Sequence, residues 1–121
     1  MKQHTVKTAK DRAWRYFSAY IRKRDPRCVT CGAETNQAGH FWHNVLDYDE
    51  ENVNGQCLRC NHFMSGNLAP YSVYLLRKLG KKKFDALDIR HTKAMGGEKR
   101  SVEELLAIGD HYKQAVDKLV V

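Results

Sequence analysis

Four cysteines in this 121-residue chain form two pairs, Cys28-Val-Thr-Cys31 and Cys57-Leu-Arg-Cys60, with 25 residues between the pairs. A C-x-x-C turn directs two sulfurs at one point, and two such turns complete a tetrahedron around Zn²⁺. Thr30 and Gly32 at the first knuckle, and Arg59 and Asn61 at the second, are residues suited to tight turns. A closed four-thiolate site has no open position, so a zinc held there staples the fold and does not catalyse. The alternatives are a disulfide pair or buried free thiols. A disulfide conflicts with the cytosolic setting argued below, and free thiols leave the repeated spacing unexplained.

The segment between the knuckles carries His40, His43 and Asn52, and Asn61 directly follows Cys60. A neutral imidazole titrates near working pH and can take a proton from an attacking water. An amide offers both a donor and an acceptor and so can brace a loop. Each has a plainer alternative: a structural histidine, a turn residue at Asn52, a helix cap at Asn61.

The elements around these residues follow from the pattern. Trp14, Phe17 and Ile21 recur at helical spacing, flanked by Ala13 and Tyr20, which predicts a helix over 6–24 ended by Asp25-Pro26. Strand-like pieces fall at 38–42 and 52–56, and a short helix is expected over 57–64, broken at Ser65-Gly66. Asn67 is read as the N-cap of a helix over 68–79 that Gly80 closes. Another helix follows over 81–95 and stops at Gly96-Gly97. Ser101-Val-Glu-Glu104 has the form of a capping box opening a last helix.

The formal charge is +7, and its distribution is uneven. Residues 1–27 hold nine Lys/Arg, Lys2 among them, against Asp11 and Asp25; the remaining 94 residues hold twelve of each sign. Such a block suits the phosphates of nucleic acid, with a solvated helix face as the plainer reading. Arg15, Arg22, Lys23, Arg24 and Arg27 are the candidate DNA-binding residues. No apolar run reaches the roughly 20 residues of a membrane span, and the N-terminus lacks the apolar core of a secretory signal, so no membrane partner and a cytoplasmic location are expected.

His, Asn and Asn enclosed by C-x-x-C pairs resemble the HNH nuclease family with its ββα-metal fold. "YIRKRDPRCVTCG", "QAGHF", "DEENVNGQCLRCN" and "SGNLAPYSVYLLRKLG", in this order and spacing, resemble the NinG (Rap) recombination proteins of lambda-like phages. The resemblance implies an α+β, mostly α fold: a zinc-stapled ββα-metal (HNH) core over 28–67, an N-terminal basic amphipathic helix within 1–27, and a C-terminal helical region, 68–121, packing on the module. It implies a metal-dependent endonuclease acting on branched or Holliday-junction-like DNA, in the bacterial host cytoplasm if phage-encoded. His40 matches the general base, Asn52 the residue that orients it, and Asn61 a ligand of one catalytic Mg²⁺ or Mn²⁺. Many HNH enzymes carry a metal-binding Asp directly before that His; here the residue is Gly39, as in the NinG-like pattern. His43 and His62 are then candidate ligands of the catalytic ion, with Gln37 and Asp47 as further choices. The chain could act alone or as a homodimer. The competing reading is a non-catalytic zinc module that binds nucleic acid.

Overall fold

Thr5 opens the first helix: its hydroxyl accepts from the Thr8 amide at 3.1 Å, and the Thr8 hydroxyl accepts from the Thr5 amide at 2.9 Å. This reciprocal cap contributes about 1 kcal/mol to helix stability. In the computed structural model, which describes residues 3–119, helix α1 runs Val6–Arg24. Lys2 of the basic block lies outside the described residues.

Ala9, Ala13, Phe17 and Ile21 form the buried stripe of α1, and Trp14 and Tyr20 are half-buried beside it. The stripe packs against α3, Val102–Lys118, whose Ser101–Glu104 capping box forms as the sequence predicts. Ala9 and Ala13 meet Leu105, while Phe17 and Ile21 meet Tyr112 and Val53. The last helix thus rests chiefly on α1.

Strand β1, Gln37–His40, pairs antiparallel with β2, Val53–Gln56. The register sets Gln37 opposite Gln56, Gly39 opposite Asn54 and His40 opposite Val53. Because side chains alternate along a strand, the hairpin has two faces. Ala38 and Val53 pack on α1 with Phe17. Gly39 and Gln56 face Asn61 on the other side.

The expected helix after the second knuckle is a single π-helical turn, Arg59–Phe63. Helix α2, Leu68–Ala94, is continuous except at Gly80, whose φ of 80° and ψ of 163° kink it. The glycine therefore separates two helical segments as predicted, and the second starts without an intervening loop. Tyr71, Leu75, Leu87 and Ala94 of α2 close over Leu46, Phe41 and Trp42 of the loop between the strands. Asn67 does not cap α2 as its residue type predicts. Asn67 occupies the N-cap position in a left-handed conformation, φ 51°, and makes no side-chain cap bond. Its amide instead lies 3.6 Å from Cys60 Sγ.

Candidate functional site

The two C-x-x-C turns bring all four sulfurs within 4.8 Å of one another, the only such cluster of metal-ligand side chains among the described residues. Cys31 and Cys57 sulfurs are 3.6 Å apart. Cys28 and Cys60 are buried, whereas Cys31 is exposed. Amides and hydroxyls are directed at the sulfurs: Cys60 N–H at Cys57 Sγ, Thr30 Oγ1 at Cys28 Sγ, and Asn67 Nδ2 at Cys60 Sγ. Burial pushes the Cys28 thiol up, but hydrogen bonds from the Thr30 hydroxyl and neighbouring amides bring it down to about 6. The Ala33 amide pulls Cys31 down, while burial and the three facing sulfurs push it up to about 12. Four sulfurs so placed fit a tetrahedral dication that takes thiolates, and these four cysteines could hold zinc.

The hairpin between the knuckles holds the other residues. His40 ends β1, stacks on Trp14 of α1 at 5.2 Å between ring centroids, and places Nε2 3.0 Å from Asp47 Oδ1. The His40 hydrogen bond, opposed by burial, holds the Asp47 carboxyl below the usual carboxylate range. Asn52 is fully buried. Its Oδ1 accepts from the Trp42 amide at 2.8 Å, and its Nδ2 faces the carbonyls of Trp42, Val45 and Leu46. One amide thus fixes the loop that leaves His40. Asn61 Nδ2 donates to Gln37 Oε1 at 2.7 Å.

His40 and Asn61 therefore lie on opposite sides of β1. A groove of about 370 Å³ runs past the strand between α1 and the π-turn, lined by Trp14, Ser18 and Arg22, then 36–38, then Asn61. His43 lies beside Gly66, and His62 stands edge-on to Phe63. Neither joins a cluster of three or more ligand-type side chains among the described residues.

The basic residues divide. Arg15 and Arg27 are exposed, and Arg22 is exposed with its Nε on the Ser18 carbonyl at the groove. Lys23 Nζ lies 2.8 Å from the Val116 carbonyl at the end of α3. Arg24 does not sit on the outer face that the helical spacing suggested. Its guanidinium donates to Asp25, to the carbonyls of Glu50 and Val53, and to Asn54 Oδ1. Asp25 Oδ2 in turn accepts from the Gly55 amide at 2.9 Å. This pair ties the end of α1 to β2 and turns the Arg24 guanidinium inward.

Two positioning residues escaped the sequence reading. Tyr71 is fully buried, donates to the Gly39 carbonyl at 2.7 Å and receives Asn54 Nδ2 at 3.1 Å. Burial pushes its phenol well up, so it stays a protonated donor. By residue type Asp47 is only a candidate metal ligand, and the structure sets it on His40. Both contacts join segments far apart in the chain or across an irregular loop, where local periodicity carries no signal.

No helix among the described residues is long and apolar enough to cross a membrane. No solved structure matches this chain. A family model described as "Bacteriophage Lambda NinG protein" matches residues 1–120. The chain is 35% identical over 111 residues to protein ninG of Escherichia phage 933W, covering 84% of this chain and 53% of that protein. It is 33% identical over 111 residues to protein ninG of Escherichia phage lambda, with 84% and 52% covered. For protein ninG of Salmonella phage P22 the identity is 34% over 111 residues, with 84% and 53% covered. The chain thus spans about half the length of the curated relatives it matches. On the span of the family match and on these identities, the chain belongs to the NinG family.

Proposed function

We propose that this chain is a metal-dependent endonuclease of the HNH type that cleaves phosphodiesters in branched or recombining phage DNA. The observation that carries the reading is His40, held at the end of β1 by Asp47 and by Trp14, a residue that also lines the groove flanked by Arg22 and Asn61. In the tautomer that donates Nε2–H to Asp47, Nδ1 keeps its lone pair and accepts the proton of an attacking water. The Asp47 carboxylate fixes the ring and stabilises the imidazolium that forms. Asn52 holds the following loop rigid, so the base does not swing. Arg22, with Arg15 and Arg27 nearby in sequence, draws the phosphate backbone toward the groove.

Asn61 offers an amide oxygen for Mg²⁺ or Mn²⁺, hard ions that accept such ligands and retain waters. When bound, such an ion supplies charge at the scissile phosphate and stabilises the leaving oxygen. Zinc at the four cysteines holds the two ends of the hairpin together. The choice of branched DNA rests on the likeness to recombination proteins.

A non-catalytic, zinc-stapled nucleic-acid module is the second reading, and Gly39 in the place of the metal-binding Asp of many HNH enzymes favours it. The test is incubation of supercoiled plasmid and branched DNA with Mg²⁺ or Mn²⁺ against EDTA, with His40→Ala as control and zinc content followed throughout. Metal-dependent nicking lost in His40→Ala supports the nuclease. Binding with no nicking by the parental protein supports the module.

A further inference from the structure

Gln56 is fully buried, and its Oε1 has no hydrogen-bond partner. Its orientation is fixed by the other end of the amide, where Nε2 donates to the Gly66 carbonyl at 2.8 Å and to Thr30 Oγ1 at 3.2 Å. A flipped amide would press two carbonyl oxygens together. Oε1 therefore points at Gly39, into the space a side chain there would fill, and Asn61 Oδ1 lies 2.8 Å from the same position. Asn61 Nδ2 is held by Gln37, and its Oδ1 carries no hydrogen bond among the described residues. With the Asn61 and Gln37 amides oriented as in that hydrogen bond, two acceptor oxygens, one buried and orphaned, converge with no donor between them; turning both amides over would instead set Asn61 Nδ2 toward Gln56 Oε1. A buried acceptor without a partner marks a place where a water or ion belongs.

We propose that Gln56 Oε1 and Asn61 Oδ1 are the protein oxygens of a divalent-cation site, Gln56 supplying the ligand that the glycine at position 39 cannot. The proposal rests on the nuclease reading for the ion's purpose and on the two oxygens for its place. The glycine is then required, because any Cβ at residue 39 collides with Gln56 Oε1. Amide oxygens are hard, neutral ligands, which suits Mg²⁺ or Mn²⁺ and does not suit zinc. With no charge from either ligand, affinity in the free protein is weak, and the remaining positions go to water or to phosphate oxygens.

The zinc-loaded full chain, titrated with millimolar Mn²⁺ and followed by NMR, tests this without reference to activity. Paramagnetic broadening is expected to be strongest at the side-chain amides of Gln56 and Asn61 and at the Gly39 amide. Asn61→Asp is expected to tighten Mn²⁺ binding roughly tenfold by adding charge at a ligand, and Gly39→Ala to abolish that local broadening. Broadening centred on Asp47, Asp49 or Glu51, or no effect at Gln56, overturns the site and leaves water or a turned Asn61 amide as the partner of Gln56 Oε1. Should Gly39→Ala fail to fold, the parental spectrum and Asn61→Asp still decide the question. Mn²⁺ at Gln56 with no cleavage refutes the nuclease reading alone. Cleavage without Mn²⁺ at Gln56 refutes this proposal alone.

Discussion

His40 Nε2 lies 3.0 Å from Asp47 Oδ1, seven residues away across an irregular loop. The imidazole is thereby held between a carboxylate and the Trp14 ring. Asp47→Asn keeps a hydrogen-bonding side chain but removes the charge that favours the imidazolium. The plateau cleavage rate is therefore expected to fall on the order of 10-fold. A rate equal to the parental one means Asp47 does not act on His40.

Arg24 and Asp25 form a partly buried pair, with side chains 18% and 10% exposed. Breaking one partner leaves the other charge uncompensated, so Arg24→Gln is expected to destabilise the fold by about 3 kcal/mol in denaturant unfolding. Burial pushes the Asp25 carboxyl up, yet the Arg24 and Gly55 hydrogen bonds prevail and hold it below its ordinary value of 3.8. A lowered folded-state pKa contributes stability that is present above the ordinary value and is lost as pH falls through the folded one. Acid unfolding of the parental protein should show this loss below pH 3.8, and Asp25→Asn should flatten that limb.

A closed thiolate site implies about one tightly bound zinc per chain. Cys60→Ser is expected to unfold or loosen the module, because metal binding free energy here is folding free energy. Asn67→Ala removes the amide facing Cys60 Sγ and should weaken zinc affinity on the order of 10-fold in a chelator competition. A folded, reduced sample without zinc contradicts the assignment.

The salt dependence of DNA affinity should come from the exposed arginines. Arg15→Gln with Arg22→Gln is expected to flatten the log–log salt slope by roughly two units. Binding to all sequences should weaken alike, since phosphate contacts carry no base information. Zinc content should not change. An unchanged slope means these arginines only solvate a helix face.

Local chemistry was legible where it is local. The apolar stripe of α1, the Ser101–Glu104 box, the Gly80 break and both cysteine knuckles follow from spacing and turn residues, and the structure contains each of them. What misled was side-chain choice among distant partners. Arg24 lies off the aromatic stripe by helical spacing, but five acceptor atoms from Asp25 and the 50–54 segment turn it inward. Asn67 has a capping residue's chemistry, but a left-handed backbone directs its amide to Cys60. Tyr71 carries no local signal of its role, and only the folded hairpin shows its hydroxyl on Gly39. Gly39 stands where the resemblance implies a ligand, and its bare Cα makes room for Gln56.

Strand cleavage by His40→Ala, beside the parental chain, tests the central claim most directly. Both proteins would be purified with zinc, matched for circular dichroism and DNA affinity, and assayed on branched and supercoiled DNA with Mg²⁺ or Mn²⁺. The account predicts cleavage by the parental protein and a rate lower by roughly 10²–10⁴ in the variant, the range set by loss of a general base. Equal cleavage by both would place the base elsewhere, and no cleavage by the parental protein under any metal would contradict the nuclease itself.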